Sequence, residues 1–305
     1  TYCMPDEEQT WLERTEILTE EEILRVVHAG VSLGISKIRV TGGEPLTRPG
    51  VVDLMGKLGA IPQIQNLGFS TNGTLLSRKL KSGVTNAQGL YDAGVRALNL
   101  SLDSLDPEVY RESTSRDLLP QFLEGLEAAQ EAGFENIRLM RNRNEHELWS
   151  LVEFAAERGC LIRFVELMPV SSREVLTEEN FLPAIEARRI IEFRHGELKP
   201  LPDYRTNGPA SYFELESGQK IGFISAMTNL HFCENCDKLR LTAEGKLRPC
   251  LGSHLEFDMR KVLRDSSTTD ADLQQFFRDV VDRKPKEHDF RENYQPQRRM
   301  IAIGG

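Results

Sequence analysis

At 305 residues the chain is long enough to bury a large core in one α/β domain with a smaller appendage. Its formal charge of -9 argues against broad nucleic-acid binding, which needs a basic face to displace counterions, so an anionic ligand must be met by a local cluster of Lys and Arg. No run approaches about 20 apolar residues, which excludes a transmembrane helix. Five cysteines, Cys3, Cys160, Cys233, Cys236 and Cys250, make an odd number in a chain too large to need disulfide staples. Three of them lie close in sequence, which points to metal or redox chemistry in a reducing compartment.

In chain order, Thr1 to Pro5 (TYCMP) sets an aromatic and a cysteine ahead of any predicted element. Thr19 and Glu22 form a capping box that starts a helix with Ile23, Val26, Val27 and Gly30 on one side, ending near Gly34. A strand over Lys37 to Thr41 runs into Gly42-Gly43-Glu44-Pro45. The alternation then repeats. Helices are predicted over 51–58, 87–93, 119–132 and 145–158, and strands over 67–71, 97–101, 136–140 and 161–168. Strands alternating with helices mean βα units and a parallel sheet. Polar turns follow four of the strands: Gly42-Gly43-Glu44, Ser70-Thr71-Asn72-Gly73, Ser101-Leu102-Asp103-Ser104 and Glu166-Leu167-Met168-Pro169. In any parallel βα architecture those ends converge on one face, where an active site sits.

After Pro169 the rhythm fades. A linker is expected over 198–203 with the turn Asn207-Gly208-Pro209, then short strands over 212–225, and helices over 255–263 and 271–282. The expected fold is an incomplete (βα) TIM-type barrel over 1–199, with a smaller C-terminal α+β cap over 200–305.

The stretch from His231 to Leu251 carries Cys233, Cys236 and Cys250 beside Lys238, Arg240, Lys246 and Arg248. Thiolates are soft ligands that suit zinc or an iron-sulfur cluster. A closed zinc site needs four protein ligands, with His231 or His254 as the available fourth, and spacing alone leaves the two readings even. Lys238 and Arg240 at alternate positions favour an iron with a vacant site that meets an anionic ligand, and both side chains are then expected to face that ligand.

Taken together, YCMP, TGGEP, TNG, NLSLDSL, RFVELMP, the FC-x2-C-x13-C spacing and the terminal Gly304-Gly305 resemble the GTP 3',8-cyclase (MoaA) family of molybdenum-cofactor biosynthesis, across essentially the whole chain. These enzymes are radical S-adenosylmethionine lyases with two [4Fe-4S] clusters. The resemblance implies that Cys3 is the third ligand of an N-terminal cluster, and that Tyr2, Gly43, Ser101 and Met168 hold S-adenosylmethionine. It implies that Cys233, Cys236 and Cys250 hold a second cluster whose free iron takes the guanine base. Arg39, Ser70, Arg138, Lys238, Leu239 and Arg240 match GTP-binding positions, with Arg240 also as the catalytic residue. The radical made from S-adenosylmethionine removes hydrogen from the ribose 3' carbon, which then attacks guanine carbon 8. The Gly304-Gly305 tail enters the active site in this family. Implied partners are GTP, a second copy in a homodimer, an electron donor such as flavodoxin or ferredoxin, and cyclic pyranopterin monophosphate synthase downstream. Neither nucleic acid nor membrane is implied. The location implied is cytoplasmic, of bacterial type, with a mitochondrial form left open because the true N-terminus is expected upstream of Thr1.

The chain departs from the family pattern in several places. The first two cysteines of the C-x3-C-x2-C motif and an upstream arginine are absent, Lys238 and Arg138 exchange the usual arginine and lysine, and Asp237 replaces an asparagine. The segment 138–144 is short, as if residues were missing between Leu139 and Asn144, and 77–88 is long. Two other readings follow: a degenerate homologue that binds nucleotide without radical chemistry, or another radical S-adenosylmethionine enzyme with an auxiliary cluster.

Overall fold

A computed structural model describes residues 12–135, 137–141, 145–170, 181–206, 208–234, 236–291, 294–295, 298 and 300–303, and for 137–141, 145, 300 and 301 it describes the backbone alone. Tyr2, Cys3, Gly304, Gly305, the side chain of Arg138 and the join at 142–144 lie outside the described residues.

Thr19 starts α1 (Glu20–Ser32): its hydroxyl accepts from the Glu22 N–H while the Glu22 carboxylate accepts from the Thr19 N–H, as the capping box predicts. The alternation then runs β1 (Lys37–Val40), α2 (Val51–Gly59), β2 (Asn66–Thr71), α3 (Asn86–Asp92), β3 (Ala97–Ser101), α4 (Pro107–Thr114), α5 (Leu119–Glu131), β4 (Ile137–Arg141), α6 (Leu148–Glu157), β5 (Leu161–Val165) and α7 (Ala184–His195). The first five strands lie side by side in chain order, all parallel. Three more strands follow, β6 (Lys199–Pro200), β7 (Ser211–Glu214) and β8 (Lys220–Ile224). The last of these pairs parallel to β5, and β7 and β6 continue outward antiparallel. The result is an α/β partial TIM-type barrel whose mixed sheet begins at β1 and ends at β6.

Two helices of the barrel go beyond the sequence expectation. The Asp106 carboxylate caps α4 by accepting from the Glu108 and Val109 N–H groups, but among its residues only Tyr110 is buried, so little apolar periodicity marks it. In α7 only Ala187 and Ile191 are buried among Arg188, Arg189, Glu192 and Arg194, which hides the helix from a hydrophobic pattern. Position 200, where the smaller region was expected to start, falls inside β6, and the sheet runs on to Ile224.

Beyond the barrel come β9 (Arg240–Leu241), β10 (Lys246–Arg248), β11 (Phe257–Asp258), α8 (Met259–Arg264), α9 (Asp270–Asp282) and α10 (Met300–Ile303). The three strands form a separate antiparallel sheet in the order β11-β10-β9. The helix expected from Leu255 starts only at Met259, because Phe257 and Asp258 pair with β10 and the Asp258 carboxylate then caps α8 through the Lys261 N–H.

Two cores result. The larger lies between the sheet and the barrel helices and includes Phe69, Leu98, Leu100, Phe122 and Leu126. The smaller joins α1 to the C-terminal layer through Leu18, Val26, Leu247, Met259, Leu273, Phe277 and Val280. Each such side chain contributes about 1.5–3 kcal/mol on burial, against roughly 0–1 for an exposed ion pair such as Arg264 with Glu22, so apolar contact docks the layer. Polar bonds set its register: Arg25 donates to the Thr268 carbonyl at 2.8 Å, and the Leu18 N–H to the Ala243 carbonyl at 2.8 Å.

Helix α5 packs tightly on the turn that follows β2. A Cβ added to Gly125 would stand 2.0 Å from the Gly73 carbonyl oxygen, and Gly73 itself has φ +80°. A Gly125→Ala variant is expected to lose about 1–3 kcal/mol of stability in urea denaturation through this overpacking. An unchanged midpoint would show that the turn yields freely.

Candidate active site

Along each barrel strand alternate residues face opposite sides. Ile162 and Phe164 belong to the helix-packed core, so Arg163 between them faces the other way, into the barrel. A ladder of polar side chains runs along this inner face. Arg39 on β1 donates to the Ser70 hydroxyl and the Phe69 carbonyl, both at 3.4 Å. The Asn99 amide donates to the Ser70 hydroxyl at 3.1 Å, and Arg163 reaches across β4 to the Asn99 carbonyl oxygen at 2.8 Å. The backbone of Arg138 pairs with Asn99 on the same rung. Two glycines make room: a Cβ on Gly68 would stand 2.8 Å from the Arg39 guanidinium, and one on Gly222 would stand 2.9 Å from Arg163 Cγ.

Glu44 secures the mouth between β1 and β2. Its carboxylate accepts from the Leu46 N–H at 3.0 Å, the Asn72 N–H at 2.8 Å and the Thr71 hydroxyl at 2.8 Å. Burial pushes its pKa up, and these bonds oppose the rise. Gly43 beside it is exposed, and Ser101 and Met168 at the ends of their strands are half-buried. Glu166 does the same work at the end of β5. It is 3 % exposed and accepts from the N–H groups of Ala184, Met227 and Thr228 at 2.9, 2.8 and 3.0 Å. It thereby ties α7 and the segment leading to Cys233 to the barrel.

The cysteine hairpin sits on the C-terminal layer. The Cys236 N–H bonds to the Cys233 carbonyl at 3.0 Å, so the two cysteines share one tight turn, while Cys250 follows β10 on the other arm. All three thiols are free and half-buried. Burial pushes the Cys250 thiol up, the Lys284 ammonium pulls it down, and Cys236 and Cys233 act on it as neighbouring charges. Among the described residues no three His, Cys, Asp or Glu side chains converge on one metal ion. The His231 ring meets the Glu234 carboxylate at 2.6 Å, and His254 stacks on Tyr294 at 4.7 Å.

Arg240 lies beside the thiols. Burial pushes its pKa down, and the charges of Cys250 and Cys236 pull it back up. Its partner across the hairpin is Arg248, itself 2 % exposed and held by Glu256 and the Ser253 carbonyl. Lys238 does not share the burial of Arg240. It is exposed, with its ammonium on the neighbouring Asp237 carboxylate, which also faces Lys37 at 4.0 Å. The reason is that β9 begins only at Arg240, so strand alternation does not extend back to Lys238. Leu239 is half-buried and packs on the smaller core.

Met168 joins the two halves. It packs with Val170, Met227, Leu251, Phe290 and Tyr294 in one apolar cluster, which sets the end of β5 against the residue that follows Cys250. His288 locks this joint: its Nε2–H donates to the Ala226 carbonyl at 2.8 Å and its Nδ1 accepts from the Phe290 N–H at 3.3 Å. The ring is therefore neutral. His288 was missed in the sequence, Asn99 and Arg163 stood there only inside the motifs NLSLDSL and RFVELMP, and Glu166 only as part of a polar turn, none of them assigned a role.

A Radical SAM superfamily profile matches residues 1–155, and a Molybdenum Cofactor Synthesis C profile matches residues 160–290. The GTP 3',8-cyclase of Thermodesulfovibrio yellowstonii is 40% identical over 310 residues, covering 100% of this chain and 92% of that protein. GTP 3',8-cyclase 1 of Pseudomonas aeruginosa is 41% identical over 295 residues, covering 95% and 86%. The Rhizobium etli GTP 3',8-cyclase is 40% identical over 316 residues, covering 100% and 87%.

His288 yields a pH prediction. Burial lowers its pKa below the ordinary 6.5, with Arg291 adding to the fall and Glu287 opposing it. The unfolded chain therefore binds more protons below about pH 6.5, and the stability this ring contributes is present above that pH and lost as the pH falls. A His288→Gln variant is expected to show a flatter loss of stability than the parent between pH 7 and pH 5 in urea titrations. Identical slopes would remove His288 from the account.

Proposed function

Because the chain belongs to the GTP 3',8-cyclase family, we propose that it converts GTP to 3',8-cyclo-7,8-dihydro-GTP, the first step of molybdenum-cofactor biosynthesis. The observation that carries the proposal is the apolar joint at Met168 and Leu251, which makes the barrel mouth and the cysteine hairpin neighbours able to share one substrate. Two [4Fe-4S] clusters and S-adenosylmethionine, when bound, supply the electron and the hydrogen abstraction that join the ribose 3' carbon to guanine carbon 8.

The chain's own residues bind and orient. Cys3 is proposed for the first cluster and Cys233, Cys236 and Cys250 for the second, with Tyr2, Gly43, Ser101 and Met168 around the cosubstrate. Exposed Gly43 next to the anchored Glu44 offers the backbone close approach to a ligand. Arg39, Ser70, Arg138, Leu239 and Arg240 are proposed for GTP, and the ladder adds Asn99 and Arg163. The inner-face arginines offer donors to triphosphate oxygens in a chain that is acidic overall. Lys238 belongs to the proposed GTP set with its charge shared with Asp237. Held beside the thiols, Arg240 is the residue best placed to meet a nucleotide there.

On the family resemblance alone, the same proposal includes a homodimer, a flavodoxin or ferredoxin as electron donor, delivery of product to cyclic pyranopterin monophosphate synthase, and a cytoplasmic location. No helix among the described residues is long and apolar enough to cross a membrane.

Arg240→Ala in anaerobically reconstituted full-length protein is expected to weaken GTP binding by tenfold or more, about 1.4 kcal/mol or above, and to abolish turnover. Normal conversion by that variant would overturn the role given to Arg240. Iron and sulfide at about eight of each per chain would support two four-iron clusters, and zinc in place of iron would not.

A further inference from the structure

Lys284 lies just past α9, outside every residue set assigned above. Its ammonium donates to the Lys238 carbonyl at 2.8 Å and the Pro249 carbonyl at 2.5 Å, and stands 3.8 Å from Cys236 Sγ. An ammonium has three donors, and these three acceptors use them all. The acceptors sit on both arms of the cysteine hairpin: Lys238 comes two residues after Cys236, and Pro249 comes immediately before Cys250. The lysine has a firm base. Its own N–H bonds to the Val281 carbonyl at 3.0 Å, at the end of a helix that the smaller core holds against α1.

We propose that Lys284 is a positioning residue for the C-terminal cluster: it pins the two cysteine arms together and sets a positive charge beside one ligand sulfur. The proposal rests on reading Cys233, Cys236 and Cys250 as cluster ligands. A cluster held by three thiolates becomes more negative on reduction, so a cation nearby favours the reduced state and raises the reduction potential. The pinning and the charge act through the same atom. Arginine in its place keeps the charge, and methionine keeps the length without the charge or the donors.

The test uses full-length protein carrying Cys3→Ala, so that only the C-terminal site reports, alone and combined with Lys284→Arg or Lys284→Met. Each form is reconstituted anaerobically with iron and sulfide, then read for iron per chain, iron retained against a chelator, and midpoint potential in an EPR-monitored redox titration. The parent and Lys284→Arg are expected to hold about four irons per chain. Lys284→Met is expected to lose iron faster and, at a fixed potential, to show a reduced-to-oxidised ratio at least tenfold lower, about 59 mV for one electron. A Lys284→Met form that holds no cluster, while Lys284→Arg holds one, also supports the proposal. Equal potential and retention in all three forms would overturn it, as would equal impairment in the arginine and methionine forms. A parent that takes up no iron would defeat the ligand reading itself, which separates that failure from a failure of the Lys284 role.

Discussion

The structure depends on the apolar interface between α1 and the pair α8 and α9. Met259, Leu273, Phe277 and Val280 close against Leu18, Val26 and Ala29, and this burial docks the C-terminal layer on α1. Everything chemical in the last third of the chain is placed through it. The hairpin of β9 and β10 stands on that layer, Cys236 and Cys250 hang from its two arms, and Lys284 extends from the end of α9 to join them. At the barrel's other side the cluster around Met168 completes the fit, so the layer is held at two separated places.

Charge is the second constraint. The chain is acidic overall, yet its inner barrel face carries arginines whose neighbours are amides, hydroxyls and carbonyls, while Arg248 on the cysteine hairpin is paired with Glu256. Carboxylates are used elsewhere. Glu44 and Glu166 are consumed by backbone N–H groups at the strand ends, and Glu244 and Glu256 by Arg298 and Arg248. This division keeps cationic side chains on the faces where an anionic substrate would lie, while buried carboxylates hold loops in place.

The parallel βα rhythm was legible because its signals are local: the Thr19 and Glu22 box, glycines at helix ends, and apolar runs of strand length. The four polar turns were legible for the same reason, since the punctuation follows each strand directly. What escaped reading was what two distant segments make together. Arg163 gains meaning only when Asn99 is across β4 from it, and Glu166 only when the Met227 N–H comes to meet it. For Lys238, alternation with Arg240 suggested a shared face, but the strand starts at Arg240 and so does not impose one. The weakly patterned α7 was hidden because only two of its residues are buried, and the strand at Lys199–Pro200 because both of its residues are exposed.

The proposed function requires the barrel mouth and the cysteine hairpin to act on one GTP molecule. It is tested most directly by single-turnover mass spectrometry on anaerobically reconstituted full-length protein with GTP, S-adenosylmethionine and a strong reductant. The expected product has the mass of GTP but a different retention time, and forms together with 5'-deoxyadenosine. Cleavage of S-adenosylmethionine by fully iron-loaded protein with GTP recovered unchanged would contradict it.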